Sequence, residues 1–250
     1  MNSYWCLSPL AVPCSESIQG GVLLIRRSIL LGLCVLILSS PAGAAMFDPN
    51  FAETLWATAP SGVTGMAWAP DGSGRLFVTI KTGPVRIVRM GTPPTLLPTP
   101  FATISPVFTN SEWGVIGIAF DPDFRENGYV YFFVTVSSSE QQIIRYTAVG
   151  DVGTNKTVIM PGLPTPGGNH DGGGIGFGAD GRLYWSIGDN GSGIGVDANL
   201  TSLASKVGRA NVEGTVPKDN PFDDGPFGLN IDYIWARGFR NPFTLTFQPI

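Results

Sequence analysis

One sequence pattern occurs four times between residues 65 and 249: an apolar segment ends in an aromatic residue and then turns. The four copies are Gly65–Gly72 (GMAWAPDG), Gly117–Phe124 (GIAFDPDF), Gly174–Gly181 (GIGFGADG) and Leu245–Pro249 (LTFQP). Proline, aspartate and glycine in the first three turns favour tight turns, because they fix φ, bond to the local backbone or allow positive φ. A second apolar segment of strand length follows each of these turns, at Arg75–Ile80, Gly128–Val134 and Arg182–Ile187. The pattern predicts antiparallel strands and no long helix.

The spacing of the four aromatic residues indicates how the strands are grouped. Trp68, Phe120, Phe177 and Phe247 are separated by intervals of 52, 57 and 70 residues. Repeats of about 40–50 residues with four strands each are typical of β-propeller blades, and longer intervals indicate inserted loops. We therefore predict an all-β fold, a β-propeller, while an all-β sandwich with similar turns is the alternative. Since propellers close with about 4–8 blades and only three repeats are complete, we expect a truncated chain or a gene fragment.

The first 44 residues have the features of an export signal. Arg26 and Arg27 precede an apolar run, Ile29–Leu38, and small residues follow at Ala42–Ala44. This order matches a signal peptide with a cleavage site. The run is shorter than the roughly 20 residues of a membrane span, so we expect no stable span after cleavage. We predict a signal peptide at 1–44, with a possible true start near Val22, and a partial propeller domain at 45–250.

The predicted location is therefore periplasmic or secreted, by the general secretory or the twin-arginine route. Cys6, Cys14 and Cys34 all precede the predicted cleavage site, so the mature chain has neither a disulfide nor a thiol nucleophile. The whole chain has 15 basic and 19 acidic residues, a net charge of −4, and lacks the basic patch that nucleic-acid binding requires. We expect no nucleic-acid partner.

The only histidine, His170, lies in a glycine-rich loop, Pro166–Gly174. Glycine allows a ligand to approach the backbone closely, and loops on a rigid β scaffold often carry catalytic groups. An imidazole with an unperturbed pKa of about 6.5 suits a general base, and Asn169 or Asp171 could orient it. The alternative is a solvent-exposed loop histidine without a catalytic role.

Two further loops carry polar groups that could bind a ligand. Arg240 and Asn241 are adjacent in Gly238–Pro242. A guanidinium that clamps a carboxylate and an amide that bonds a carbonyl would suit an anionic planar cofactor. The alternative for Arg240 is an ion pair with a nearby carboxylate. Glu112 precedes the second repeat and is either a site residue or a solvated turn acid.

Two acidic loops offer oxygen ligands of the kind that Ca²⁺ prefers. They are Asp189–Gly191 and Asp219–Gly225. Neither has the spacing of a twelve-residue calcium loop, so we interpret both as hydrated turns.

Several strings together resemble a known family, the soluble sugar dehydrogenases that depend on pyrroloquinoline quinone (PQQ). These glucose and aldose dehydrogenases are six-bladed propellers. The matching strings, in the family's order, are Glu112–Phe124, Asn127–Tyr129, Asn169–His170 with Gly172–Gly173, Gly188–Asp189, Lys206–Asn211, Pro217–Pro221 and Gly238–Pro242. By this resemblance the chain covers roughly the first three to four blades.

The resemblance implies an exported oxidoreductase that oxidises the anomeric hydroxyl of aldoses with PQQ as the hydride acceptor. His170 would be the catalytic base, and Arg240 and Asn241 would contact the quinone oxygens. Glu112 and Asn169 would lie among the polar groups around cofactor and substrate. The resemblance also implies Ca²⁺, with ligands unknown and expected after Gly238–Pro242, and an external electron acceptor. The alternatives are a non-catalytic binding propeller and a calcium-dependent lactonase-like hydrolase.

Overall fold

Strands dominate the structure, a computed structural model that describes residues 54–193, 195–222 and 230–248. The predicted signal peptide at 1–44 lies outside the described residues. Within them, no helix is long and apolar enough to cross a membrane. The strands form three antiparallel sheets, each built from strands that follow one another along the chain.

The first sheet contains five strands, in which β1 to β4 pair in order and β5 pairs with β3. The strands are β1 (Val63–Trp68), β2 (Arg75–Ile80), β3 (Pro84–Arg89), β4 (Thr95–Leu96) and β5 (Ala102–Thr103). The predicted second strand, Arg75–Ile80, is confirmed at both ends, and all six of its residues are buried.

The second sheet has four strands in chain order, β6-β7-β8-β9. The strands are β6 (Val115–Phe120), β7 (Tyr129–Thr135), β8 (Glu140–Val149) and β9 (Val152–Pro164). A one-turn helix, α1 (Phe124–Asn127), joins β6 to β7. Gly128 ends this helix at φ 68°, a conformation that favours glycine.

The third sheet repeats the same order with β10-β11-β12-β13. The strands are β10 (Ile175–Phe177), β11 (Leu183–Ile187), β12 (Lys206–Ala210) and β13 (Ile234–Arg237). Two short 3₁₀ helices lie in the connecting loops, at Val196–Ala198 and Asn230–Tyr233. Gly178–Gly181 is the turn that joins β10 to β11.

The first strands of the three sheets lie side by side. Gly65 of β1 approaches Ile118 of β6, and a Cβ added at Gly117 of β6 would meet Ile175 of β10 at 2.8 Å. One apolar core fills the space between the first and second sheets, around Phe77 and Phe132. A second core fills the space between the second and third sheets, around Tyr131 and Trp185. This stacking of antiparallel sheets, each with four strands paired in chain order, is the arrangement of propeller blades, so the predicted fold class is confirmed.

The repeat also predicted where the first strand of each sheet ends. Trp68, Phe120 and Phe177 are the last residues of β1, β6 and β10. The fourth copy differs, because no strand is assigned between residues 241 and 248 in the described part of the chain. Leu245 and Phe247 nevertheless pack against Gly176 of β10, as the first strand of a following blade would.

Candidate functional site

Three chain segments meet at Gly188, directly after β11. The amide of Asp189 donates to the Arg240 carbonyl at 2.8 Å, and the amide of Asn190 donates to the His170 carbonyl at 3.4 Å. A Cβ added at Gly188 would lie 2.5 Å from the Arg240 oxygen and closer still to that of His170. Only glycine allows this approach, and it brings the two loops to one end of the third sheet.

His170 and Asp189 form a hydrogen-bonded pair at this end. The imidazole Nδ1 lies 2.5 Å from Oδ1 of Asp189, and the two side chains are 18% and 13% exposed. Oδ1 of Asp189 also accepts from the Gly191 amide at 2.9 Å. His170 has a φ of 58°, a left-handed conformation that is uncommon for a residue with a side chain.

Asp189 is suited to hold the imidazole in one tautomer. Burial alone would raise the pKa of the Asp189 carboxyl, but hydrogen bonds from His170 and Gly191 and the charge of Arg240 outweigh it and lower that pKa. An ionised Asp189 accepts a hydrogen bond from Nδ1–H. This favours the tautomer in which the proton stays on Nδ1 and Nε2 carries the free lone pair. The expectation that Asn169 or Asp171 orients His170 is wrong, because Asp189 is the residue bonded to Nδ1.

Arg240 lies beside this pair on an exposed loop. Its charge acts on Asp189, but its guanidinium donates no hydrogen bond and forms no ion pair with the residues that the structure describes. A cavity of about 410 Å³ adjoins Arg240 and Asp189 and is also lined by Val196 and Asp197. The donors of Arg240 are therefore free to bind a ligand.

Glu112 and Asn241 are brought together from positions 129 residues apart. The Asn241 amide nitrogen lies 3.5 Å from both oxygens of the Glu112 carboxylate. One of these oxygens also accepts from the backbone amide of Asp171 at 3.2 Å. The carbonyl oxygen of the Asn241 side chain is buried and has no hydrogen-bond partner among the described residues. Glu112 is half-buried and bonded to two loops, which differs from a solvated turn acid.

Asn169 completes the set of residues selected from the sequence. Its side-chain oxygen accepts from the Ser111 hydroxyl at 2.9 Å, which ties the Glu112 loop to the His170 loop. The five selected residues therefore lie on three loops that contact one another, although their roles stay predictions. They are Glu112, Asn169, His170, Arg240 and Asn241.

The first aspartate of each acidic loop also bonds to a side chain of the protein. Asp189 is bonded to His170, and Asp219 pairs with the guanidinium of Arg209 at 2.9 Å. Arg209 is buried and also binds Asp180 at 2.7 Å. Within residues 54–193, 195–222 and 230–248, no group of three His, Cys, Asp or Glu side chains could hold a metal ion.

Fold and site together define a class of protein: a β-propeller with a polar site where the loops of successive blades meet. Residues 60–250 match the sequence model of the glucose / sorbosone dehydrogenase family. Because this match covers most of the chain, the protein belongs to that family, and the resemblance identified from the sequence strings is confirmed.

Individual relatives agree with this assignment. An uncharacterized protein from Synechocystis is 33% identical over 207 residues, which cover 74% of this chain and 48% of the relative. Quinoprotein glucose dehydrogenase B from Acinetobacter calcoaceticus is 29% identical over 54% of this chain and 34% of its own length. The PQQ-bound aldose sugar dehydrogenase of Streptomyces coelicolor has a TM-score of 0.64 and 28% identity, over 74% of this chain and 53% of that one. The chain thus spans about half the length, or less, of the relatives it matches.

Proposed function

We propose that this chain carries the cofactor and substrate loops of an exported, PQQ-dependent aldose dehydrogenase. The single observation that carries the proposal is the Asp189-bound imidazole of His170 beside the guanidinium of Arg240, which bonds to none of the described residues. Membership of the family and the PQQ-bound relative from Streptomyces support the choice of cofactor. Export is supported by the signal-like residues 1–44, which lie outside the described residues.

The residues present fit a planar, anionic quinone. Arg240 offers charged N–H donors that no described residue uses, and such donors suit carboxylate or quinone oxygens. Asn241 contributes a side chain whose carbonyl oxygen is buried without a partner, while its nitrogen is directed to Glu112. A buried polar atom of this kind is costly unless a ligand or water bonds to it. Arg240 and Asn241 are therefore the residues that would hold the cofactor.

When bound, PQQ would accept the hydride that leaves the anomeric carbon of the sugar. His170 has the complementary task, which is to take the proton of the anomeric hydroxyl on Nε2, so that the sugar becomes a lactone. The positive charge that develops on the imidazole is stabilised by the Asp189 carboxylate at Nδ1. Glu112, and Asn169 next to His170, would lie among the polar groups around cofactor and sugar. The proposed enzyme would also need an external electron acceptor as its partner.

The calcium ion in this proposal is inferred from the family resemblance. We propose that Ca²⁺ orients the cofactor, as the family resemblance implies. Its ligands are expected after Gly238–Pro242, and the residues described up to position 248 contain no cluster that could serve.

Dye-linked oxidation of glucose and other aldoses by the purified mature chain, reconstituted with PQQ and Ca²⁺, tests the proposal. His170→Gln should lower kcat by about 10²- to 10⁴-fold, the usual contribution of a general base. The control is Glu126→Gln, an exposed position on α1 at the opposite end of the second sheet, which should leave kcat unchanged. Turnover that is independent of PQQ, or unaffected by His170→Gln, would contradict the proposal. Binding of PQQ without turnover would favour a binding propeller, and lactone hydrolysis that requires Ca²⁺ would favour a hydrolase.

A further inference from the structure

Asp171 follows His170 in the chain, but its side chain lies in the protein interior. The residue is 0% exposed. Its Oδ1 accepts from the indole Nε1 of Trp113 at 3.1 Å and from the hydroxyl of Thr165. The hydroxyl of Thr165 also contacts the same indole nitrogen, at 2.6 Å. Asp171 therefore joins the loop after His170 to the loop that carries Glu112 and to the end of β9.

The second carboxyl oxygen of Asp171, Oδ2, is in a different situation from Oδ1. Oδ2 is buried and has no hydrogen-bond partner among the described residues, and no Lys or Arg pairs with this carboxyl there. The titratable groups that face Asp171 are Glu112, which carries a like charge, and His170. An ionised carboxylate in this position would be desolvated without a countercharge, which is costly, whereas a carboxylic acid would lose little.

The electrostatic balance agrees with the geometry. Burial raises the pKa of the Asp171 carboxyl, and the charge of Glu112 raises it further. Hydrogen bonds from Thr165 and Trp113 and the charge of His170 act in the opposite direction but do not cancel the increase.

The position of Asp171 matters for the site through its backbone as well. Its amide donates to Glu112 at 3.2 Å, and Glu112 in turn faces Asn241. The indole of Trp113 packs against Gly168, close enough that a Cβ there would meet the ring at 3.1 Å. Movement of the Asp171 side chain would therefore change the distance between Glu112 and His170.

We propose that Asp171 works as a neutral carboxylic acid that positions Glu112 and Trp113 relative to His170. It is a positioning residue, since it reaches no reacting atom. The positioning role rests on the proposed function, because its kinetic consequence requires the dehydrogenase reaction, whereas the neutral state does not depend on it.

The neutral state is tested by thermal unfolding of the full chain as a function of pH, with Asp171→Asn as the uncharged isostere. A carboxyl whose pKa is raised in the folded state binds more protons folded than unfolded. Such a carboxyl adds to stability below pH 3.8, which is its pKa in the unfolded chain. This contribution is lost as pH rises through the higher pKa of the folded state. We expect the unfolding temperature of Asp171→Asn to rise relative to the parent chain as pH increases from about 4. The opposite trend, in which the parent chain gains stability over Asp171→Asn, would show an ionised Asp171 and overturn the proposal.

The positioning role is tested by comparing Asp171→Asn with Asp171→Ala. Asparagine can still accept from Trp113 and Thr165 through its carbonyl oxygen, so we expect kcat and KM within about threefold of the parent chain. Alanine removes the acceptor, and we expect a rise in KM and a fall in kcat of about tenfold or more. In parallel, the indole N–H resonance of Trp113, assigned with Trp113→Phe, should move in the alanine variant and change little in the asparagine variant. Equal kinetics for both variants, with a displaced indole resonance in Asp171→Ala, would show that the tether does not position the site.

The two tests separate this inference from the proposed function. If the parent chain shows no turnover, the pH dependence of unfolding and the indole resonance still report on Asp171. Suppose that the parent chain is active, but that the stability of Asp171→Asn relative to the parent chain falls between pH 4 and neutral pH. The inference then fails while the proposed function stands.

Discussion

The carboxylate of Asp189 holds the imidazole of His170 by a 2.5 Å contact between Oδ1 and Nδ1, although the two residues are 19 positions apart. The contact exists because the loop before β10 folds back over the end of β11, where Gly188 leaves room for it. The pair sets the tautomer of the only histidine in the chain. Nε2 has no hydrogen-bond partner among the described residues, as the proposed role of base requires.

Replacement of Asp189 by asparagine should separate this orienting role from simple packing. The Asp189→Asn variant keeps the size of the side chain but removes the charge that stabilises an imidazolium, and it can present an N–H to Nδ1. We expect kcat to fall by about 10²-fold or more with a smaller change in KM, measured by dye-linked aldose oxidation. Asp123→Asn, an exposed aspartate at the opposite end of the second sheet, is the control and should retain full kcat. Loss of activity in both variants would point to a global effect and not to the pair.

Much of the fold was predictable because its signals are local. Trp68, Phe120 and Phe177 each end a strand whose turn residues follow directly in sequence, so a short window contains the whole hairpin signal. Phe247 has the same local pattern but no assigned strand. A strand needs hydrogen bonds to a neighbouring strand, and that requirement cannot be deduced from one segment alone.

The site was predictable only in part, because its contacts join distant residues. Five site residues could be selected from strings that resemble a family, but Asp189 was assigned to a hydrated turn because its loop lacks the spacing of a calcium loop. The Gly188–Asp189 string, which is among those that resemble the family, was the sequence signal that could have identified Asp189 as a site residue. Asp171 was expected to orient His170, but its side chain is buried in the protein interior. His170 has a φ of 58°, and the residue that follows it turns into the core.

Arg240 should contribute to cofactor affinity and little to folding, because its guanidinium bonds to none of the described residues. Charge-assisted hydrogen bonds contribute about 1.5–3 kcal/mol each, which corresponds to roughly 10- to 100-fold in affinity. We therefore expect Arg240→Met to weaken PQQ binding by that factor in an absorbance titration, with an unchanged unfolding temperature. Arg237→Met, three residues earlier on β13, is the matched control and should bind PQQ normally. Unaltered PQQ binding by Arg240→Met would place the cofactor elsewhere.

Gly188 should be intolerant of any side chain, since a Cβ would collide with carbonyl oxygens of both loops. We expect Gly188→Ala to displace the His170 and Arg240 loops, lowering both turnover and PQQ affinity, and to cost about 1–3 kcal/mol of folding free energy. The control is Gly162→Ala, which has a φ of 71° and open space around its Cβ. That variant should lose about 1 kcal/mol from backbone strain but keep its activity. If Gly188→Ala binds PQQ as well as Gly162→Ala does, the close approach at Gly188 does not shape the site.

Asp71 should make the stability of the first sheet sensitive to acid. Its carboxylate contacts the buried guanidinium of Arg75 at 2.6 Å and accepts from the Ser73 amide at 2.9 Å. Burial alone would raise the pKa of Asp71, but the hydrogen bonds from Ser73 and Arg75 outweigh it and lower the pKa from 3.8 to about 2. Because the folded state binds the proton more weakly than the unfolded chain does, this contribution is fully present above about pH 4 and is lost as pH falls towards 2.

Asp71→Asn should therefore unfold at a lower temperature than the parent chain at pH 7, and the difference should shrink as pH is lowered from about 4 to 2. Thermal unfolding followed by circular dichroism across this range gives the measurement. Asp123→Asn, whose side chain makes no hydrogen bond in the described part of the chain, should differ little from the parent chain at every pH. A difference for Asp71→Asn that stays constant from pH 7 to pH 2 would mean that the variant loses packing, and that the ion pair with Arg75 is not the source of its stability.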